Sequence, residues 1–450
     1  MSRSFFIATL GCPKNEVDSE KLAGRLVAEG YEAAGTVESA DLVVVNTCAF
    51  IEPAREESIE AILELSAARS PGARLAVTGC LAERCGEELA EALPEIDVVA
   101  GLGMELLPPE SRAPAAHVRL RRRGEVPAFD LLELPRPASG APWAYVKVAE
   151  GCDRRCGFCA IPSFRGRQRS RSMASILSEV DSLEVREVVL VAQDLASFGR
   201  DRSGRADRSA AGGPGIVELV AAVAERVERV RLLYIYPSSL TDELIDAVVA
   251  TGVPYFDLSL QHVSAAHLRR MRRVGDRRRY LERIGRIRRV APHAALRSSF
   301  ILGYPGETEA DHDELLQFID EVGLDWGGFF TYSAEEGTPG AARPDQVPAG
   351  LANERLQECS ELQDAITARC RAALAGSRAS VLVDAPGVSR SYREAPEIDG
   401  VIEVPASLEV GTVTEVTIVG ALGPDLVAEP REAVGAVAGG RLAAAGSSAA

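Results

Sequence analysis

Residues 144–159 decide the fold, and they read AYVKVAEGCDRRCGFC. The first seven residues form a mostly apolar run, as expected of a buried strand. The run leads directly into a loop with three cysteines at C-x3-C-x2-C spacing, namely Cys152, Cys156 and Cys159. In barrels of parallel strands, the carboxyl ends of the strands build the site. This stretch therefore predicts a cysteine-lined site at the end of a barrel strand.

The same strand signal occurs six times between residue 144 and about residue 335, with enough chain for one helix between successive runs. The six runs are AYVKVAE, VVLVAQD, RLLYIYP, YFDLSL, LRSSFILG and GGFFTYS. Consecutive right-handed βα units of this kind predict an open, partial (β/α)6 barrel, which we assign to 138–369. One connection, 201–215, is rich in Gly, Ser and Arg and is expected to be a mobile surface loop.

The preceding segment, 1–116, predicts a doubly wound parallel α/β domain. A crossover helix is predicted at 18–30, and 106–142, rich in Pro, Arg and Ala, is typical of a connection between domains. The buried parallel strands are predicted at 5–11, 41–47 and 74–79.

The C-terminal part has a different pattern. Residues 351–375 are predicted to be helical, and short alternating runs broken by Gly and Pro begin at 378. They predict a small antiparallel β-barrel of OB-like size at 370–438. The tail, 439–450, consists mainly of Ala, Gly and Ser and is predicted to be disordered.

Composition limits the class of protein. Of the 450 residues, 46% are hydrophobic and 26% are charged, which is typical of a globular chain. No apolar stretch is long enough to span a membrane and the start does not resemble a signal peptide, so we expect a cytoplasmic protein without a membrane partner. The net charge of −16 argues against general nucleic-acid coating and leaves room for a basic protein partner.

The compact cysteine motif indicates metal chemistry. Buried thiols and a closed zinc site are alternatives, but zinc requires four ligands and no fourth Cys or His lies within twenty residues. Three thiolates at this spacing can hold three corners of a 4Fe-4S cluster and leave one iron without a protein ligand. That iron can bind the amino and carboxylate groups of S-adenosylmethionine, placing it for reductive cleavage to a 5′-deoxyadenosyl radical.

Three further cysteines, Cys12, Cys48 and Cys80, each follow a predicted strand. Because the carboxyl ends of parallel strands share one edge, we expect these thiols to converge and hold a second cluster. The other three cysteines fit neither arrangement and are interpreted as free thiols: Cys85, Cys359 and Cys370.

With Phe158 before its last cysteine, the compact motif resembles the signature of the radical S-adenosylmethionine superfamily. The resemblance implies further contacts to S-adenosylmethionine. The implied contacts are Gln193, Asp194, Arg297, Gly303 and Glu307. A helix cap is the alternative for Gln193 and Asp194, and a Pro-Gly turn is the alternative for the glycine-rich segment from Gly303 to Glu307.

The whole arrangement is similar to that of the methylthiotransferases, whose C-terminal barrel is a TRAM domain, and several motifs match the RimO branch. The matching motifs are Gly11-Cys12-Pro13-Lys14-Asn15, Val17-Asp18-Ser19-Glu20, Asn46-Thr47-Cys48, Thr78-Gly79-Cys80, Glu150-Gly-Cys152-Asp-Arg and Ile161-Pro-Ser-Phe-Arg-Gly-Arg. Two features depart from the family: Ser259 replaces the usual proline, and 201–215 resembles an insertion.

The resemblance implies methylthiolation of the β-carbon of an aspartate in the twelfth protein of the small ribosomal subunit. Two S-adenosylmethionine molecules, two 4Fe-4S clusters and an electron donor take part, and no residue is expected to act as acid or base. A tRNA methylthiotransferase and a non-catalytic cluster-bearing regulator are the alternatives.

Charge bears on the choice of substrate. Residues 380–450 contain ten acidic and four basic residues, which favours a basic protein over RNA. A merely solvated acidic surface is the alternative. Residues 269–289 contain eleven arginines against Asp276 and Glu282, which indicates either RNA contact or an ordinary exposed helix face.

Overall fold

The computed structural model describes residues 3–106, 117–120, 129–202 and 215–430. The loop predicted at 201–215 lies largely outside the described residues, and the predicted tail at 439–450 lies entirely outside them. Every helix that the structure describes is too short or too polar to span a membrane.

The N-terminal domain is the predicted parallel α/β sheet with three additional strands. Six strands pair in the order β2-β1-β3-β4-β5-β6. The last strand lies wholly beyond the predicted domain boundary at 116, at residues 117–119. The first helix begins five residues before its predicted start, because Pro13 is placed in its first turn. The strands are β1 Arg3–Thr9, β2 Tyr31–Ala33, β3 Leu42–Thr47, β4 Arg74–Gly79, β5 Val98–Ala100 and β6 His117–Arg119. The helices are α1 Pro13–Ala28, α2 Glu52–Ala68 and α3 Cys80–Ala92.

The central domain confirms the six predicted barrel strands. They form two parallel three-stranded sheets, joined by a parallel bridge between Ile235 and Leu258. The strands are β7 Trp143–Lys147, β10 Glu187–Val191, β11 Arg229–Leu232, β12 Tyr255–Gln261, β13 Ala295–Leu302 and β14 Trp326–Thr331, with a short pair β8 Ala149–Glu150 and β9 Arg169–Ser170 beside β7. The helices are α4 Ile161–Phe164, α5 Met173–Leu183, α6 Ile216–Ala224, α7 Asp242–Ala250, α8 Ala265–Arg270, α9 Arg277–Val290, α10 Glu309–Val322 and α11 Ala349–Ala372.

The departure at Ser259 has a structural consequence in β12. The Ser259 N–H donates to the Ile235 carbonyl at 2.9 Å, a bond that connects the two sheets of the barrel. Proline has no N–H to donate at this position. Serine therefore adds a hydrogen bond where the two halves of the barrel meet.

The C-terminal domain is a closed five-stranded barrel, as predicted. It departs from a wholly antiparallel arrangement in one pairing, because β17 and β19 run parallel, with Ile402 opposite Leu426. The strands are β15 Arg378–Ala385, β16 Val388–Arg390, β17 Ile402–Glu403, β18 Val413–Leu422 and β19 Asp425–Pro430.

Buried ion pairs join this small barrel to the central domain. Glu187 at the start of β10 pairs with Arg231 at 2.7 Å and with Arg390 of the small barrel at 3.1 Å. Asp399 accepts from the Tyr255 hydroxyl at 2.6 Å. Part of the acidic character counted in the sequence therefore belongs to the domain junction and not to a docking surface.

Candidate active site between two cysteine triads

The three dispersed cysteines lie at one edge of the N-terminal sheet. Cys12 follows β1, Cys48 follows β3, and Cys80 begins α3 directly after β4. In the sheet β3 lies between β1 and β4, so the carboxyl ends of these parallel strands are adjacent. The structure thus brings the three residues together, and we call Cys12, Cys48 and Cys80 the N-terminal triad.

Two glycines permit this close approach. Gly11 has a φ of +96°, and a Cβ at this position would lie 2.7 Å from Cys48 Cβ. Gly79 has a φ of +94°, and a Cβ there would lie 2.6 Å from the Thr47 nitrogen. Only glycine adopts these angles readily and leaves this space empty. Each glycine is therefore required beside its cysteine.

Polar and charged groups surround the N-terminal triad. Burial raises the pKa of the Cys12 thiol, but Lys14, the neighbouring N–H groups and Arg165 outweigh burial and hold this pKa below its usual value. Burial raises the pKa of Cys48 to about 11. Cys12 is thus the member of this pair better prepared to be a thiolate, the form that binds metal.

The compact motif forms the barrel triad, Cys152, Cys156 and Cys159, in the loop after β8. Gly157 in this loop donates its N–H to the Met271 carbonyl at 2.8 Å and accepts from the Gly340 N–H at 2.7 Å. These bonds hold the loop between the end of α8 and the segment after β14. Burial raises the pKa of Cys152 to about 11 and that of Cys159 to about 12, so metal binding must release their protons.

Two arginines lie over the Tyr236 ring beside the barrel triad. The guanidinium carbons of Arg154 and Arg273 are 3.8 and 4.1 Å from the ring centroid. Arg273 Nη1 also donates to Cys156 Sγ at 3.6 Å, and Arg154 pairs with Asp194 at 2.7 Å. Cationic donors next to the sulfur atoms favour thiolates.

Arg165 belongs to the central domain but contacts the N-terminal triad. Its Nη2 and Nε atoms lie 3.1 and 3.4 Å from Cys80 Sγ, and Nη2 donates to Asn15 Oδ1 at 2.7 Å. The same guanidinium pairs with Asp18 at 2.9 Å and with Glu150 at 3.1 Å. Because Glu150 directly precedes the loop of the barrel triad, one side chain links the surroundings of both triads.

Lys147 completes this buried network by pairing with Asp18 at 2.6 Å. Burial raises the pKa of Glu150, but Arg165 and Lys147 outweigh it and hold the pKa at about 2. Two cations thus face two carboxylates at the domain junction. Such a network is stable only while every charge keeps a partner.

A cleft of about 970 Å³ opens beside the triads, with Glu150, Arg154 and Arg165 among its walls. Buried oxygen acceptors in or next to this cleft lack hydrogen-bond partners within the described residues, and a ligand with amino or hydroxyl donors would satisfy them. These atoms are Gln168 Oε1, Gln193 Oε1 and Asp194 Oδ1. Two of the predicted cofactor-contact residues are therefore next to the cleft with free acceptors.

Arg297 and Phe158 have other surroundings. Arg297 pairs with Asp257 and with Asp399 of the small barrel, both at 3.3 Å. Phe158 is partly buried and packs against the core of the central domain. The contacts of Arg297 favour a role in holding the small barrel.

The glycine-rich strand end faces α11. Gly303 has a φ of +75°, and a Cβ there would lie 2.5 Å from Ala352 Cβ. Gly306 has a φ of +79° and donates to the Asp345 carbonyl at 2.7 Å. These contacts favour the alternative of a Pro-Gly turn.

Glu307 lies in a buried cluster with His262 and His267, a group that sequence reasoning missed. Within the described ranges, these are the only three potential metal ligands whose atoms all lie within 4.8 Å of one another. His262 Nδ1 accepts from the Ser264 N–H at 3.1 Å, so in the neutral ring the other nitrogen carries the proton. Arg355 lies 3.4 Å from Glu307 Oε1. The occupied His262 nitrogen and the neighbouring arginine both disfavour a bound metal ion. The cluster therefore serves to pack the end of the strand.

The spacing of the thiols bears on what each triad can hold. In neither triad do all three sulfur atoms lie within 4.8 Å of one another, which is too wide for one tetrahedral ion. Each triad supplies three thiols, and Cys80 and Cys156 also receive guanidinium N–H donors. Wide spacing, three ligands and cationic donors fit an anionic 4Fe-4S cluster with one iron left open.

Family comparisons match the chain in three consecutive parts. The family described as "Uncharacterized protein family UPF0004" matches residues 4–101, the Radical SAM superfamily matches 146–319, and the TRAM domain matches 375–430. The curated relative "Ribosomal protein uS12 methylthiotransferase RimO" of Moorella thermoacetica is 43% identical, and the alignment covers 88% of this chain and 92% of the relative. The RimO proteins of Streptomyces coelicolor and Desulfitobacterium hafniense are 39% and 40% identical, each over 95% of this chain and over 97% and 99% of their own lengths.

The chain belongs to the RimO family. It is a radical S-adenosylmethionine methylthiotransferase, and this class binds S-adenosylmethionine and 4Fe-4S clusters. Among solved structures, the radical S-adenosylmethionine methyltransferase TsrM from Kitasatospora setae is similar over 81% of this chain and 89% of its own, with 16% identity and a TM-score of 0.48.

The structure gives the RimO motifs a shared location. Asn15, Asp18, Glu150 and Arg165 come from four separate motifs and meet in the network between the triads. Sequence reasoning quoted these residues but assigned them no role. Their polar character next to cysteines was the available signal, and no local pattern showed that they would meet.

Sequence reasoning also missed Tyr236 and Arg273, which lie beside the barrel triad. The three unassigned cysteines, interpreted as free thiols, each lie in or against a hydrophobic core. Cys359 is fully buried in the core, Cys370 packs against that core, and Cys85 is partly buried beside the N-terminal sheet.

Proposed function

We propose that this enzyme methylthiolates the β-carbon of an aspartate in ribosomal protein uS12, using two S-adenosylmethionine molecules. The observation that carries the proposal is the Arg165 network, which connects two cysteine triads beside one cleft in a RimO-family chain. A reaction that needs both a radical source and a sulfur carrier requires such proximity.

Each triad holds one 4Fe-4S cluster in this proposal. When bound, the clusters and S-adenosylmethionine supply the radical that removes hydrogen and the methylthio group that replaces it. The barrel triad serves radical generation, and the N-terminal triad serves sulfur transfer. Gln193 and Asp194 offer their unpartnered oxygens to donor groups of S-adenosylmethionine. Phe158, Gly303 and Glu307 support this site through packing, and Arg297 holds the small barrel through its ion pair with Asp399.

Protein recognition is assigned to the exposed glutamates of the small barrel. Its described surface carries five exposed glutamates, whereas two of its three arginines are engaged in ion pairs with Asp384 and Asp325. This charge suits a basic ribosomal protein. The exposed glutamates are Glu397, Glu403, Glu409, Glu415 and Glu429.

RNA contact is less well supported than recognition of a protein substrate. A TRAM domain supports it, but six of the eleven arginines in 269–289 pair with carboxylates. The ion pairs include Arg277–Glu321, Arg278–Glu282, Arg279–Asp276, Arg283–Asp242 and Arg286–Asp246. We therefore favour the protein substrate over tRNA.

An external electron donor is also required, because cleavage of S-adenosylmethionine consumes one electron.

The test is a competition between the two substrate classes. Reduced, cluster-reconstituted enzyme is incubated with S-adenosylmethionine and equal amounts of uS12 and tRNA. Mass spectrometry then shows which one gains a methylthio group and on which residue. Modification of an aspartate in uS12 is expected, and modification confined to tRNA would overturn the proposal.

A further inference from the structure

Lys14 lies next to the N-terminal triad but has no carboxylate partner. Its Nζ is 3.8 Å from the centroid of the Tyr234 ring. Lys14 is the second residue after Cys12, and its charge lowers the pKa of that thiol. Over the described ranges, no Asp or Glu oxygen lies within 4.0 Å of Lys14.

Five other cations near the triads already have anionic or sulfur partners. Arg154 pairs with Asp194, and Arg165 pairs with Asp18 and Glu150. The cations of Arg297 and Lys147 are likewise paired with carboxylates. Arg273 donates to Cys156 Sγ and to the Ser259 carbonyl. Unlike the four of these that pair with carboxylates, Lys14 has no carboxylate within 4.0 Å, and among the described residues the same holds for Arg155 in the loop of the barrel triad. Lys14 differs from Arg155 in lying over the Tyr234 ring.

The backbone beside Lys14 is held in an unusual conformation. Tyr234 has a φ of +64°, in the left-handed region that non-glycine residues rarely adopt. The Asp257 carboxylate accepts the Tyr234 N–H at 2.9 Å, and Asp257 is in turn paired with Arg297. Strained residues fixed by such contacts concentrate at functional sites.

Residues 234–236 extend from one triad to the other. The ring of Tyr234 carries Lys14 next to Cys12, and the ring of Tyr236 carries Arg273, which donates to Cys156. One short segment therefore contacts the cations beside both triads.

We propose that the Lys14 ammonium group binds the side-chain carboxylate of the target aspartate. This inference rests on the proposed function, because an aspartate places a carboxylate one bond from the reacting β-carbon. A carboxylate taken out of water needs a charged partner. The Tyr234 ring orients the ammonium group while leaving N–H donors for the substrate. Lys14 thereby selects aspartate over its neutral analogue asparagine.

The test measures binding without turnover. The aspartate that mass spectrometry identifies in uS12 is changed to Asn, and dissociation constants of both forms are measured for wild type and Lys14→Met without S-adenosylmethionine. Wild type is expected to bind the Asn form about 30-fold more weakly, since losing one partner of a buried charge pair has at least this effect. Lys14→Met is expected to bind both forms equally.

Matched variants separate local recognition from general charge. Lys14→Arg is expected to keep most of the discrimination. Arg186→Met removes a cation that is 54% exposed and paired with Glu228 just before β10, and it is expected to keep all of the discrimination. Tyr234→Phe retains the ring and the discrimination, whereas Tyr234→Leu reduces it. Iron content and circular dichroism verify that each variant is folded and loaded.

The outcomes separate a failure of Lys14 recognition from a failure of the proposed function. If wild type neither binds nor modifies uS12, the proposed function fails. If wild type modifies uS12 while Lys14→Met discriminates between the Asp and Asn forms as wild type does, only the role of Lys14 is overturned. That role is also overturned if Lys14→Met changes nothing but the spectrum of the N-terminal cluster.

Discussion

Cys152, Cys156 and Cys159 lie within eight consecutive residues of one loop, whereas Cys12, Cys48 and Cys80 are spread over 69 residues and follow three strands. The loop is fixed by a few backbone hydrogen bonds to neighbouring segments. The dispersed triad depends on the pairing of β1, β3 and β4 and on two glycines that permit close approach. The first triad is thus specified locally, and the second is specified by the packing of a whole sheet.

The largest expected effect separates the two triads by function. Replacing Cys152, Cys156 and Cys159 with Ala should abolish formation of 5′-deoxyadenosine and remove about half of the iron, since one of two clusters loses its ligands. Iron analysis and chromatography of the products measure both. Continued formation of 5′-deoxyadenosine would show that the barrel triad is not the radical source.

The reciprocal variant should lose the product but keep radical chemistry. Replacing Cys12, Cys48 and Cys80 with Ala is expected to abolish methylthio transfer while S-adenosylmethionine is still cleaved, because the barrel triad is intact. Mass spectrometry of uS12 and quantification of 5′-deoxyadenosine in the same reaction provide the readout. Normal methylthiolation of uS12 by this variant would refute the assigned role.

A single glycine tests whether sheet packing specifies the dispersed triad. Gly11→Ala introduces a Cβ 2.7 Å from Cys48 Cβ at a φ of +96°, so iron at the N-terminal triad should fall while the barrel cluster remains. Gly30→Ala is the matched control, because its φ is +88° but no atom lies within 4 Å of the added Cβ. Equal iron loss in both variants would attribute the effect to backbone strain alone.

Arg165 tests the link between the triads. Arg165→Met leaves Asp18 and Glu150 short of a cation and is expected to reduce the free energy of unfolding by about 3–5 kcal/mol. It should also shift the reduction potential of the N-terminal cluster, because Cys80 loses its N–H donor. Denaturant titration and potentiometric electron paramagnetic resonance measure these effects. Arg186→Met, which removes an exposed arginine just before β10, should change neither.

The smallest effect is expected at the exposed surface of the small barrel. Reversing Glu403, Glu409 and Glu415 to Lys should slow association with uS12 by up to about 10-fold at low salt and much less at high salt. Stopped-flow binding across a salt series measures this rate. The control reverses three exposed glutamates of α3, Glu87, Glu88 and Glu91, and an equal slowing there would indicate net charge rather than the barrel surface.

The sequence was sufficient to predict the three-domain architecture and the placement of the cysteines at strand ends. Strand periodicity, the C-x3-C-x2-C spacing and the position of Cys12, Cys48 and Cys80 after strands are local signals, and the shared edge of parallel strands follows from topology. Family membership could also be predicted, because the motifs quoted for it are short and contiguous.

Only the tertiary structure decided which charges meet. Arg165 and Cys80 are 85 residues apart, and Arg297 and Asp399 are 102 residues apart. The arginine-rich segment appeared strongly basic as a sequence, yet α7, α10 and the segment itself supply carboxylates to six of its eleven arginines. Likewise Asp399 was counted as surface charge although it lies in the domain junction. Composition counts charges, whereas their energy depends on which partners and how much water surround them in the folded chain.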